Sequence, residues 1–209
     1  MRSKKGVLVV LSGFSGAGKG TVMKRLLEKY DNYALSISAT TRSPRPGEQE
    51  GVSYFYKSVE EFEQMIKEKR LLEYAKYVNN YYGTPKEYVI SKLEEGKDVI
   101  LEIELQGAMQ IKDMLPDTVL VFVTPPSAEI LKNRLIGRNT EDMETINKRL
   151  ARASEEAEGM ERYDYILIND ELEECVDDLH GIIQAEHLNM KKNESFVSKI
   201  KDEVKVFAN

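Results

Sequence analysis

The sequence holds one cysteine and two histidines among 209 residues. A lone Cys175 excludes an intrachain disulfide and a cysteine-built metal centre. It reads as a small buried side chain rather than a nucleophile. His180 and His187 fall seven apart in one expected helix, so they read as surface or packing residues, and the chain offers no candidate catalytic histidine. Long hydrophobic runs are missing too. The longest, Val7 to Leu11, is far too short to cross a bilayer, and no signal-like apolar stretch comes after the basic start Met1-Arg2-Ser3-Lys4-Lys5. The expected location is the cytoplasm, with no membrane partner. Net charge is −6, so the global signature of a nucleic-acid binder is absent as well. Any phosphate recognition has to come from local clusters of Arg and Lys. There is no internal repeat and no low-complexity segment.

The residues present make an ordered chain, 41% hydrophobic and 32% charged. Buried strands are expected over 6–12, 99–103, 119–123 and 165–168, from short β-branched apolar runs. Helical spacing falls between them, over 19–30, 107–115, from Ser127 as N-cap to Gly137, and over 172–188. That alternation predicts an α/β fold with a parallel sheet flanked by helices on both faces. The stretch 36–95 differs. It is rich in Tyr, Thr, Ser and Gly, and short alternating runs at 53–57 and 77–82 predict small antiparallel strands around a helix over 59–69. It reads as an inserted mixed α/β subdomain. The expected organisation is a core of 1–35, 96–136 and 160–189, the insert 36–95, a polar helical lid over 137–159, and an extension 190–209.

The strongest motif is Gly13-Phe14-Ser15-Gly16-Ala17-Gly18-Lys19-Gly20-Thr21, with a strand before it and a helix after it. Glycines let the backbone curl so that successive N–H groups point inward, and the helix adds the positive end of its dipole. This is a phosphate loop, with Lys19 in reach of the β and γ phosphates of a nucleotide. The usual hydroxyl directly after the lysine is replaced by Gly20 and comes one residue later, at Thr21. Within the insert, Arg42 and Arg45 stand three apart on a proline-stiffened turn. Guanidinium groups offer a planar fork to phosphate oxygens, so the pair can grip a monophosphate. Tyr54 and Tyr82 can add phenolic donors.

Ser38 through Gly47, Gly51, Tyr54, Glu73, Tyr81-Tyr82-Gly83-Thr84 and Glu104-Leu105-Gln106-Gly107 together resemble the guanylate kinase signature of the P-loop nucleoside monophosphate kinases. The resemblance runs from the first strand to about residue 188. It implies an ATP:GMP phosphotransferase that uses Mg²⁺. It implies that Gly13, Ser15, Gly16, Ala17, Gly18, Lys19, Gly20, Thr21 and Asn169 bind ATP. Arg42, Arg45, Tyr54 and Tyr82 would hold the GMP phosphate, and Ser38, Glu73, Thr84 and Glu104 would meet the base. A carboxylate at Glu73 offers two acceptors to the adjacent N1–H and N2 donors of guanine, and it meets the unprotonated N1 of adenine lone pair to lone pair. Glu102 and Glu104 stand where the family often has aspartate. Thr21 and Glu102 are the expected metal contacts, direct or through water.

Arg134 and Arg138 are four apart on an expected helix, and Arg149 and Arg152 are three apart, so each pair shares a face. The resemblance gives Arg134, Arg138 and Arg149 to the transferring phosphoryl group, with Lys19 and Arg42 as the other catalytic residues. Asn169 and Asp170 come directly after the last strand, where the resemblance sets them beside the adenine of ATP and a cap on the final helix is the blander role. Two other readings stay open on sequence: a related kinase with a different acceptor, and a scaffold module that binds phosphopeptides. In the extension, Phe196, Ile200 and Val204 form an apolar stripe that suits packing on the parent domain or contact with a second copy.

Overall fold

Val7 to Leu11 are all buried, and most of them form β1 (Leu8–Gly13), the middle strand of a five-stranded sheet in a computed structural model that describes residues 5–77, 79–137 and 142–208. The sheet order is β2 (Tyr33–Leu35), β7 (Asp98–Glu102), β1, β8 (Val119–Thr124), β9 (Tyr165–Ile168), and every pairing is parallel. A strand that is apolar on both faces needs both faces covered. On one side α1 (Lys19–Lys29), α5 (Ala128–Gly137), α6 (Met143–Ala157) and α7 (Leu172–His187) bury Val22, Leu131, Ile146 and Val176 against β1 and β8. On the other, α3 (Lys86–Glu94) and α4 (Leu105–Met114) bury Val89, Leu93, Ala108 and Ile111.

A second sheet has the order β4 (Phe55–Tyr56), β3 (Ala39–Thr40), β6 (Asn80–Pro85), β5 (Leu71–Tyr77). It carries α2 (Val59–Lys67), which opens with a capping box between Ser58 and Glu61. Phe62 and Met65 of α2 pack with Ala39 and Leu71 in a separate small core. The sequence pattern places one strand over 77–82. The structure instead puts a hairpin there: β5 and β6 pair antiparallel, with Tyr77 opposite Asn80. Asn79, between the two strands, is turn chemistry, and it overrides the alternation. The helix expected over 59–69 stops at Lys67, and Lys69 turns the chain with φ 54°. Helix α3 is an addition to the elements expected from the sequence.

Other expectations hold. Ser127 accepts the Ile130 N–H at 3.2 Å, as a cap should. Cys175 is buried, and burial pushes its thiol up to about 11. His180 stacks on Tyr30 at 3.8 Å and meets the Tyr33 hydroxyl. His187 Nε2 lies 2.8 Å from the wholly buried Asp98, which also accepts the Val7 N–H. Both histidines pack α7 against the sheet. Of the expected lid, α6 begins behind Asp142, whose carboxylate accepts the Thr145 N–H at 2.8 Å. Arg138 lies outside the described residues. Among the described residues, no helix is long and apolar enough to cross a membrane.

Candidate active site

The carboxyl ends of parallel strands are where such sheets bind ligands, and here they carry Gly13, Glu102, Thr124 and Ile168. Between β1 and α1 the chain curls through Gly16 at φ 94° and Gly18 at φ 91°. A Cβ on Gly18 would stand 2.3 Å from Asn169 Nδ2, so both the turn and the close neighbour demand glycine. Asn169 is buried just after β9 and donates to the Ala17 carbonyl at 2.8 Å. It does not cap the last helix of the core, because Glu171 holds that position without a side-chain cap. Its observed role is to brace the loop.

Lys19 folds back over the loop that precedes it. Its Nζ donates to the Gly13 carbonyl at 2.9 Å and the Phe14 carbonyl at 3.3 Å, and stands 3.8 Å from Glu102. The loop thus carries an ammonium folded over its own carbonyls, with the Glu102 carboxylate beside it. Gly20 has open space around its Cα and Thr21 is exposed on the first turn of α1. No steric demand explains the glycine at that position.

Two adjoining pockets make one cleft. The first holds Ser15, Lys19, Glu102, Lys148, Arg149 and Arg152 among its walls. The second holds Ser38, Glu73, Tyr82 and Gly107. Tyr54, Tyr77, Glu102 and Glu104 border both. The phosphate loop and the insert therefore face a single continuous space.

In the insert half, Glu73 is buried on β5, and Thr84 of β6 donates its hydroxyl to Glu73 Oε1 at 2.7 Å. Burial raises the Glu73 carboxyl above its ordinary value, the Thr84 bonds pull it partly back, and the Glu104 charge adds to the rise. Its other oxygen sits 3.2 Å from where a Cβ on Gly107 would be, so the glycine lets α4 approach. Arg42 and Arg45 are not among the residues lining the two pockets, but Arg42 is gripped by Glu48 and lies 5.3 Å over the ring of Tyr54, which borders both. The Glu48 pair is the main reason that Arg42 is held above its usual value. Arg45 is exposed on the same turn, and its N–H is fixed by Glu48 at 2.8 Å. Sequence reasoning gives Glu48 no role. Its position three residues after Arg45 is visible there, but the fold-back of the turn is not.

On the lid side, Arg149 reaches Ser15 of the phosphate loop, and Arg152 reaches Glu104. Helix α6 thus touches both halves of the cleft. Arg152 lines it as well, on the face it shares with Arg149, and Lys148 and Glu156 are additions to the expected site residues; burial raises the Glu156 carboxyl. Arg134 is half-buried on α5, on the side where its charge acts on Cys175, and it is not among the residues lining the cleft.

A strand–phosphate loop–helix unit facing a buried carboxylate in an inserted sheet describes a kinase with a second substrate pocket. The guanylate kinase family model matches residues 5–186. The chain belongs to the guanylate kinase family. It is 53% identical over 192 residues to a guanylate kinase of Oceanobacillus iheyensis, covering 92% of this chain and 93% of that one. It is 50% identical over 200 residues to a guanylate kinase of Caldanaerobacter subterraneus subsp. tengcongensis, covering 96% and 97%. The crystal structure of guanylate kinase from Anaplasma phagocytophilum superposes with a TM-score of 0.70 at 33% identity, over 90% of both chains. As a member of this family the chain is an enzyme, a nucleotide-binding phosphotransferase.

Proposed function

We propose that the enzyme transfers the γ-phosphoryl group of ATP to GMP, giving ADP and GDP, with Glu73 as the reader of guanine. The observation that carries this reading is the buried Glu73 carboxylate, fixed by Thr84 and facing the cleft it shares with Lys19. Its two oxygens suit the paired N1–H and N2 donors of guanine. One accepts from Thr84 and the other is turned toward the first turn of α4. Ser38, Thr84 and Glu104 complete the base pocket. Arg42, Arg45, Tyr54 and Tyr82 take the phosphate, and the order along the cleft, from Glu73 past Tyr54 to Lys19, matches base, acceptor phosphate and donor phosphate.

The acceptor needs no protein base. A monophosphate has a second pKa of about 6, so at neutral pH its oxygen is already a nucleophile. That agrees with histidines that only pack. Catalysis is then alignment and charge. Gly13, Ser15, Gly16, Ala17, Gly18 and Gly20 cradle the ATP phosphates, Lys19 turns from the loop carbonyls to the β and γ oxygens, and Asn169 holds the loop. Arg149 offsets charge on the transferring group. Helix α6 bridges the cleft and shelters it from water. The residues fit Mg²⁺: Glu102 stands at the cleft floor beside Lys19 and the Thr21 hydroxyl is open, and phosphates and water furnish the remaining oxygens such an ion prefers. The bound metal supplies neutralisation of the ATP phosphate charge. The test is ADP release from ATP and Mg²⁺ with GMP, AMP, CMP, UMP or no acceptor. Turnover with GMP alone is expected, and strong turnover with AMP would discard the guanine assignment.

A further inference from the structure

Helix α8 (Glu194–Lys205) is amphipathic, and its apolar side stays exposed to solvent. Phe196, Ile200 and Val204 are 44, 39 and 53% exposed, and Phe207 beyond the helix is 89% exposed. No residue of the helix is buried. A 12-residue helix alone is marginal in water and draws its stability from packing an apolar face. Here the parent domain does not supply that packing. The charges beside the stripe are patterned. Lys199 and Glu203 flank it on one side, 3.6 Å apart, and Lys201 flanks it on the other.

We propose that α8 pairs antiparallel with α8 of a second copy of this chain, about a two-fold axis beside residue 201. With the axis there, Lys199 of each copy stands level with Glu203 of the other, so one choice of register makes both flanking contacts opposite in sign. The same register interleaves the stripes. Val204 falls between Ile200 and Phe196 of the second copy, and Phe207 falls beside its Phe196. A parallel pairing instead sets both Lys199 and Glu203 beside Lys201 of the second copy, one contact of each sign, where the antiparallel register makes both Lys199–Glu203 contacts opposite in sign. Two short helices bury less than a standard interface, so the dimer is weak.

Sedimentation velocity of the full chain, from micromolar to submillimolar concentration, tests this. The wild type should pass from monomer to dimer across that range. Lys199→Glu and Glu203→Lys each place like charges in register and should weaken the dimer at least tenfold. Mixing these two variants, or combining both changes in one chain, should restore it. GMP-dependent turnover per chain and melting temperature should stay at wild-type values throughout, which separates lost pairing from lost folding. A wild type that stays monomeric overturns the proposal, as does a dimer indifferent to the charge swaps. A monomer that instead sediments with phosphatidylglycerol vesicles also overturns it, in favour of a membrane as the occupant of the stripe.

Discussion

Arg42 Nη2 lies 2.8 and 3.0 Å from the two carboxylate oxygens of Glu48. The same carboxylate accepts the Arg45 N–H and the Tyr56 hydroxyl, each at 2.8 Å. One acidic side chain therefore sets the direction of one proposed phosphate-binding arginine and the backbone of the other.

Glu48→Gln should raise the KM for GMP by about tenfold or more, the scale of a charge-assisted bond, and leave the KM for ATP unchanged. Steady-state kinetics with each substrate varied separately checks this. The Arg42 pair, with the Arg45 N–H bond second to it, holds the Glu48 carboxyl down at about 2. A depressed carboxyl contributes stability that is full above its unfolded value and is lost progressively as pH falls from there through the folded one. Glu48 therefore stays ionised across the ordinary carboxyl range, and the Arg42 anchor should hold at mildly acid pH.

Glu73 works the other way. Burial raises its carboxyl, so ionising it costs stability that is absent below its unfolded value and is felt as pH rises through the raised one. Glu73→Gln should raise the melting temperature of the ligand-free enzyme at neutral pH. The gain should vanish below about pH 4, the ordinary carboxyl range, where the group is protonated folded or unfolded. Thermal unfolding of both proteins at the two pH values checks the sign. A stability gain from deleting a proposed recognition group is the expected trade at a functional site.

Lys19→Ala removes the ammonium that rests on Gly13 and Phe14. We expect kcat to fall by about a thousandfold, the upper range for a donor at developing charge. Circular dichroism and melting should show an intact fold, since those two bonds stay within one loop.

Asn169→Ala deletes the buried bond from Asn169 to the Ala17 carbonyl. The cost should be about 1–3 kcal/mol of stability, read by urea unfolding. ATP affinity should weaken with it, and GMP affinity should not, because the loop braced by Asn169 faces only the donor half of the cleft.

The core was legible because its signals are local. Val7 to Leu11 declares a strand covered on both faces, and the glycine loop with Lys19 declares the helix behind it. The arginines at 42 and 45 and the carboxylate at Glu73 could be named from motif spacing. The contacts that could not be read depend on folding back. Glu48 reaches Arg42 only through the turn between them, and Arg152 meets Glu104 across 48 residues of chain. The β5–β6 hairpin hid because Tyr77 to Tyr82 alternates like a strand while Asn79 within it lies in the turn. Asn169 read from its place after β9 as an ATP contact beside the adenine, or as a helix cap, and only the three-dimensional neighbourhood of Gly18 shows that it braces the loop.

The central claim is that Glu73 reads the two adjacent donors of guanine, and IMP tests it because inosine keeps N1–H and lacks the N2 amine. The measurement is the ratio of kcat/KM for GMP over IMP in the wild type and in Glu73→Gln. The wild type should favour GMP by about ten- to a hundredfold, the value of one charge-assisted bond, and Glu73→Gln should lose most of that preference. A variant that keeps the wild-type ratio would contradict the assignment and move guanine recognition to another residue of the cleft.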